Sequence, residues 1–127
     1  MKLESETQHA TRVILGGEPG CAFYRNNVGV AEFVAPQGRI HHVRYGLSEG
    51  SSDLIGVVSV LITPEMVGRS VGRFVALELK AEGGKTERER RIKQQLFRAL
   101  VLKLGGWAEQ LDDPGQALAA LARARRI

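Results

Sequence analysis

Glu78 and Lys80 stand two residues apart at the end of the run 73–80, and Asp53 opens the apolar run 53–62 about 25 residues earlier. Side chains two apart on a strand point to the same face. An acid entering one strand and an acid-x-lysine triplet on the next can therefore meet on one side of a sheet. Two carboxylates brought from different strands suit a hard cation such as Mg²⁺ or Mn²⁺, which keeps open positions for water and a phosphate oxygen. A lysine beside them would position the attacking water and offset charge building on phosphorus. The pattern predicts metal-dependent hydrolysis of a phosphodiester. On an exposed sheet face the same triplet would be ordinary, but within an apolar strand a charged face is costly unless it serves a site.

The elements that must position these residues follow from local pattern. Leu3, Thr7, Ala10, Val13 and Ile14 have helical spacing over residues 3–15, and GGEPG (16–20) ends that helix. Residues 21–25, 28–34 and 39–45 are rich in β-formers and are broken by Asn26-Asn27 and by APQG (35–38), predicting an antiparallel meander. Residues 53–62 and 74–77 are nearly all apolar, as interior strands covered on both faces would be, with 63–71 as an exposed hairpin loop. After a polar start at 86–91, Ile92, Leu96, Phe97, Leu100 and Leu104 form an apolar stripe on the longest helix, stopped by Gly105-Gly106. Residues 107–111 predict a last strand; Asp112 or Asp113 then caps a helix that Pro114 begins and that runs through Ala124. The expected class is α/β, a mixed central sheet flanked by helices.

A chain of 127 residues with 43% hydrophobic content fits one domain, 1–127, with a sizeable core. Its net charge of +4 and pI near 9.6 fit a polyanionic partner. The single cysteine, Cys21, excludes an intrachain disulfide and a cysteine-rich zinc site. No apolar run approaches a membrane span and MKLESETQHA is too polar for a secretory signal, so an intracellular, cytoplasmic protein without a membrane partner is expected. His41 and His42 are adjacent, so on a strand they face opposite ways and cannot chelate one metal together. GGKT (83–86) lacks the first glycine of a phosphate-binding loop, because Leu79 stands in that place.

YRNNVG (24–29), VRYG (43–46), GSSDLIG (50–56), GRFVALELK (72–80), a glutamine-bearing helix at Gln94 and LGG (104–106) occur in that order. This ordered set resembles the VRR-NUC nucleases in their standalone phage and prophage form, members of the PD-(D/E)xK superfamily, over residues 4–121. The resemblance implies a restriction-endonuclease-like fold and a Mg²⁺- or Mn²⁺-dependent endonuclease acting on DNA. It implies Asp53 and Glu78 as metal ligands, Lys80 as the catalytic lysine and Gln94, rather than Gln95, as the helix glutamine. It also implies a glutamate on the first helix lining the metal site, with Glu4 favoured over Glu6 because Gln8 follows it by four residues. Ser52 stands where many relatives have proline, which loosens the turn and leaves the Asp53 carboxylate in place.

Arg25, with Asn26 and Asn27, and Arg44, with Tyr45, match a family signature consistent with phosphate contact or support of the site; Asn-Asn is equally a turn. In the basic run Arg88, Arg90, Arg91 and Lys93, Arg88 and Arg91 are candidate DNA contacts, although such a run is also an ordinary solvated helix face. Standalone relatives act as homodimers on branched DNA such as four-way (Holliday) junctions, and the same is expected here. The rival readings are a non-cleaving DNA-binding or assembly subunit with a nuclease fold, and a flap-cutting, nicking or restriction-type nuclease.

Overall fold

The computed structural model describes residues 3–80 and 87–127. The expectation at 83–86 therefore lies outside the described residues. The chain divides into two compact units, Met1–Gly56 and Val57–Ile127.

The first unit begins with α1 (Glu4–Gly16), whose N-terminus is capped by Glu6: its carboxylate accepts the Leu3 backbone N–H at 3.1 Å. Helix α1 packs on β1 (Cys21–Arg25). Strands β2 (Gly29–Val34) and β3 (Ile40–Tyr45) form an antiparallel hairpin in register from Gly29↔Tyr45 to Val34↔Ile40. The tip closes through Ala35 N–H to Arg39 O at 2.8 Å, with Gly38 at φ 79°, a conformation that favours glycine. Next to the hairpin's tip His41 stacks on Phe33, while His42 turns to Glu32 at 3.5 Å, so the two histidines do diverge.

Strand β1 does not join that hairpin. It pairs instead with β4 (Leu54–Val58), which runs across the boundary between the units, so the predicted three-strand meander is corrected to a hairpin plus a separate pair. The physical cause is Asn26. It is buried, and it spends its hydrogen bonds on the loop before β4 and on Leu47 rather than on a tight β1–β2 turn.

The second unit is a βαβ arrangement. Strands β5 (Val75–Leu79) and β6 (Trp107–Leu111) are parallel, in register from Val75↔Trp107 to Leu79↔Leu111, and α2 (Arg88–Lys103) lies between them in sequence and packs on both. The end of α2 is set by Gly105 at φ 94°: Gly105 N–H donates to Leu102 O and Gly106 N–H to Val101 O, a Schellman closure. A side chain at Gly106 would meet Phe74 O and Val101 Cγ1, each 2.8 Å from its Cβ, so the chain can re-enter the sheet here only as glycine. Asp113, not Asp112, caps the following turn by accepting the Gly115 N–H at 3.1 Å, and α3 (Ala117–Ala124) packs on β6. Arg73 gathers this end of the unit by donating to the carbonyls of Gly105, Gly106, Ala124 and Arg126.

Three further expectations change. The apolar run 53–62 supplies a strand only over Leu54–Val58, and Leu61 is 84% exposed, so it is not an interior strand along its length. In β5 and at the residue after it, Ala76, Glu78 and Lys80 are half-buried, while Val75, Leu77 and Leu79 are exposed, because α2 covers the polar face. On α2 the stripe Ile92, Leu96 and Leu100 is exposed, and Gln94, Phe97, Arg98 and fully buried Val101 are the more enclosed positions, at the i, i+3, i+4, i+7 spacing of one helix face. Among the described residues the strands form three two-stranded sheets rather than one mixed sheet, with three α-helices, an arrangement that belongs to the α/β class. No described helix is long and apolar enough to cross a membrane.

Candidate functional site

The enclosed face of β5 brings three of the candidate residues together. Glu78 and Lys80 alternate with Leu77 and Leu79 and so emerge toward α2, where Gln94 meets both. The Gln94 amide donates from Nε2 to Glu78 Oε1 at 2.8 Å and accepts at Oε1 from Lys80 Nζ at 3.0 Å. Lys80 Nζ also lies 3.2 Å from Glu78 Oε1, which closes a three-membered polar ring. The side chains of Lys80 and Glu78 keep 16% and 30% of their exposure, enough shelter to strengthen the pair beyond a surface ion pair and enough opening to admit a ligand. Gln95, the neighbouring glutamine, is exposed.

An uncharged amide bridging an acid and a base fixes both without adding a competing charge, and it turns Glu78 Oε1 inward. Glu78 Oε2 has no partner among the described residues. Beside the ring lies a cavity of about 270 Å³ lined by Glu78 and Gln94 and by Arg90, Lys93, Phe97 and Arg98 of α2.

In the first unit, Asp53 precedes β4 and is exposed. Its loop is held by Asn26: Nδ2 donates to Ser51 Oγ and to Ser52 O, each at 2.8 Å, and the Asn26 N–H donates to Asp53 O at 2.8 Å. Asn26 Oδ1 accepts the Leu47 N–H at 2.9 Å. At about 1 kcal/mol for each such bond, this clamp fixes the turn that Ser52, in place of proline, was expected to loosen. Glu4 is exposed at the first turn of α1, and Glu6 is the acid that acts as the helix cap.

The structure thus brings Glu78, Lys80 and Gln94 together in one unit and places Glu4 and Asp53 in the other. Arg25 ends β1 and Arg44 lies in β3, both exposed, and Arg88 and Arg91 are exposed on α2 without lining the cavity. Arg98 escaped the reading of the sequence. The signal was present in its spacing, since it lies four residues beyond Gln94 and so shares that residue's helix face.

Among the described residues no three His, Cys, Asp or Glu side chains form a group that could hold a metal ion. The donor chemistry of the β5 face nevertheless fits a hard cation. Mg²⁺ is commonly held by one or two carboxylates completed by water and substrate phosphate, and Glu78 offers a carboxylate on a partly exposed side chain beside a cavity. Compared with models of known protein families, with curated proteins and with solved structures, the chain matches none.

Proposed function

We propose that this chain is a divalent-metal-dependent endonuclease of the VRR-NUC type that hydrolyses DNA phosphodiester bonds, with Glu78, Lys80 and Gln94 as its catalytic face. The observation that carries the reading is the polarity of β5 and its end: Glu78 and Lys80 are half-buried and tied together by Gln94, while Leu79 between them is 71% exposed. A strand built only for stability would place them the other way round, since enclosing charge is costly and exposing leucine forfeits burial.

In this reading Lys80 Nζ, held by Gln94, orients a water toward phosphorus and offsets the negative charge that gathers on the phosphoryl oxygens. A bond from the water oxygen to phosphorus forms as the bond to the leaving ester oxygen breaks, the water losing its proton to solvent and the leaving oxygen taking one from solvent. Gln94 keeps Glu78 and Lys80 at their spacing, and Glu78 would hold the metal through Oε2, with Asp53 and Glu4 as the further ligands that the family resemblance implies. A bound Mg²⁺ or Mn²⁺ supplies Lewis-acid polarisation of the phosphate and a more acidic water. The same resemblance extends the proposal to branched DNA as substrate and to a homodimer, whose twofold symmetry suits paired cuts on opposing strands.

Incubation with labelled four-way junctions, flaps and linear duplex in Mg²⁺, Mn²⁺ or EDTA tests it. Metal-dependent cutting that favours a branched substrate is expected. Binding without cleavage under every metal condition would replace the reading with that of a non-hydrolytic DNA-binding module.

A further inference from the structure

Arg98 lies half-buried on the enclosed face of α2. Its Nη1 is buried and has no hydrogen-bond partner among the described residues. Two other arginines of this unit are used by the fold: half-buried Arg73 donates to four backbone carbonyls, and exposed Arg123 forks onto Glu109. A guanidinium stays protonated at any working pH, so an enclosed and unpaired one is a cost that the fold does not recover from its own groups.

The cavity it lines has an excess of positive charge. Among the described residues Arg98, Arg90 and Lys93 border it against one carboxylate, Glu78, which is already engaged by Lys80 and Gln94. Lys93 reaches Glu89 at 3.6 Å, but both side chains are about three-quarters exposed, so that pair does not hold the ammonium away from an anion. An oxyanion with several acceptor oxygens is the ligand such a wall satisfies, and a planar guanidinium fork matches phosphate geometry.

We propose that this cavity seats a backbone phosphate of the nucleic acid next to the one being hydrolysed, with Arg98 as its buried donor and Arg90 and Lys93 at its rim. The identity of the ligand rests on the nuclease reading; the anion chemistry does not. Arg98 would thereby fix the strand relative to Glu78 and Lys80 by a contact that carries no base information.

The test is DNA binding by the full chain in EDTA, where hydrolysis cannot intervene, followed by fluorescence anisotropy on a labelled duplex across a salt series. Arg98→Met, which keeps length and removes charge, should weaken binding about tenfold or more at low salt. It should also lower the slope of log affinity against log salt by about one phosphate contact. Its melting temperature should equal or exceed that of the wild type. Arg98→Lys should recover part of the affinity, and inorganic phosphate should raise the melting temperature of the wild type more than chloride at matched ionic strength. Unchanged affinity and slope in Arg98→Met would overturn the inference, as would a collapse of its melting temperature in a protein whose wild type ignores phosphate. Loss of binding in Arg98→Met, with no metal-dependent cutting by the wild type, would retain the anion seat and sink the nuclease reading. Cutting by the wild type with unaltered Arg98→Met binding would do the reverse.

Discussion

Two acid–base pairs sit on opposite faces of the same β5–β6 ladder and are built to different ends. Glu109 is saturated: Arg123 approaches both of its oxygens, with Nε donating to Oε2 at 3.0 Å, and the Trp107 indole N–H donates to Oε2 as well. The Arg123 guanidinium, aided by Trp107, holds the Glu109 carboxyl below the ordinary carboxylate range. Glu78 is only half used, with Oε1 shared between Gln94 and Lys80 and Oε2 without a partner among the described residues. The difference separates a clip, whose donors and acceptors are consumed by the fold, from a candidate site, whose remaining acceptor capacity the fold does not use. Glu109 and Arg123 tie β6 to α3, whereas Glu78 and Lys80 border a cavity or stand beside its lining.

Breaking the site should change chemistry far more than stability. Lys80→Met and Asp53→Ala are each expected to lower the cleavage rate by at least about 10²- to 10³-fold, with melting temperatures close to that of the wild type. Single-turnover kinetics on a four-way junction with Mg²⁺, run beside thermal denaturation, measures both. A Lys80→Met enzyme that cuts at nearly the wild-type rate would reduce the polar ring to a fold feature.

Gln94→Ala should cost less, about 10- to 100-fold in rate, because it removes the bridge and leaves the carboxylate and the ammonium. Raising the metal concentration should recover part of that loss if the bridge acts by orienting Glu78. A loss that is indifferent to metal would assign Gln94 to the water or to Lys80 instead.

The clip should show the opposite signature. Arg123→Met is expected to lower the melting temperature while leaving cleavage within about twofold of the wild type. The pH dependence has a definite sign. Because the folded Glu109 carboxyl is held low, its stabilisation is fully present above the unfolded-state value and is lost as pH falls through the folded one. Between about pH 5 and pH 3 the wild type should therefore lose stability by a component that Glu109→Gln lacks. Differential scanning calorimetry at several pH values on both proteins measures it.

Much of the local structure was legible in the residue pattern. Strand β1 (Cys21–Arg25) and strand β6 (Trp107–Leu111) fall where β-formers are bounded by glycines or Asn-Asn, and the end of α2 falls at Gly105-Gly106, because these signals are local. The partner of β1 was not legible, since Asn26 hydrogen-bonds to residues 21 to 26 positions away and no local rule favours β4 over β2. The enclosed face of α2 was misread for a related reason. Periodicity selects the apolar stripe Ile92, Leu96 and Leu100, but the face turned to β5 carries Gln94 and Arg98, whose polarity breaks the rule that apolar residues face the sheet. Glu78 and Lys80 could be picked out by type and spacing and Gln94 only through the family resemblance, while their mutual hydrogen bonds and the unpaired Arg98 Nη1 arise from the packing of α2 on β5.

The most direct test of the central claim is the cleavage time course of Glu78→Gln beside the wild type, on one labelled four-way junction at saturating Mg²⁺. Glutamine keeps an acceptor toward Gln94 and Lys80 and removes only the charge that a cation needs. The account predicts that the wild type cuts while Glu78→Gln is slower by at least about 10³-fold at an unchanged melting temperature. Equal rates for the two proteins would contradict it and return Glu78, like Glu109, to the fold.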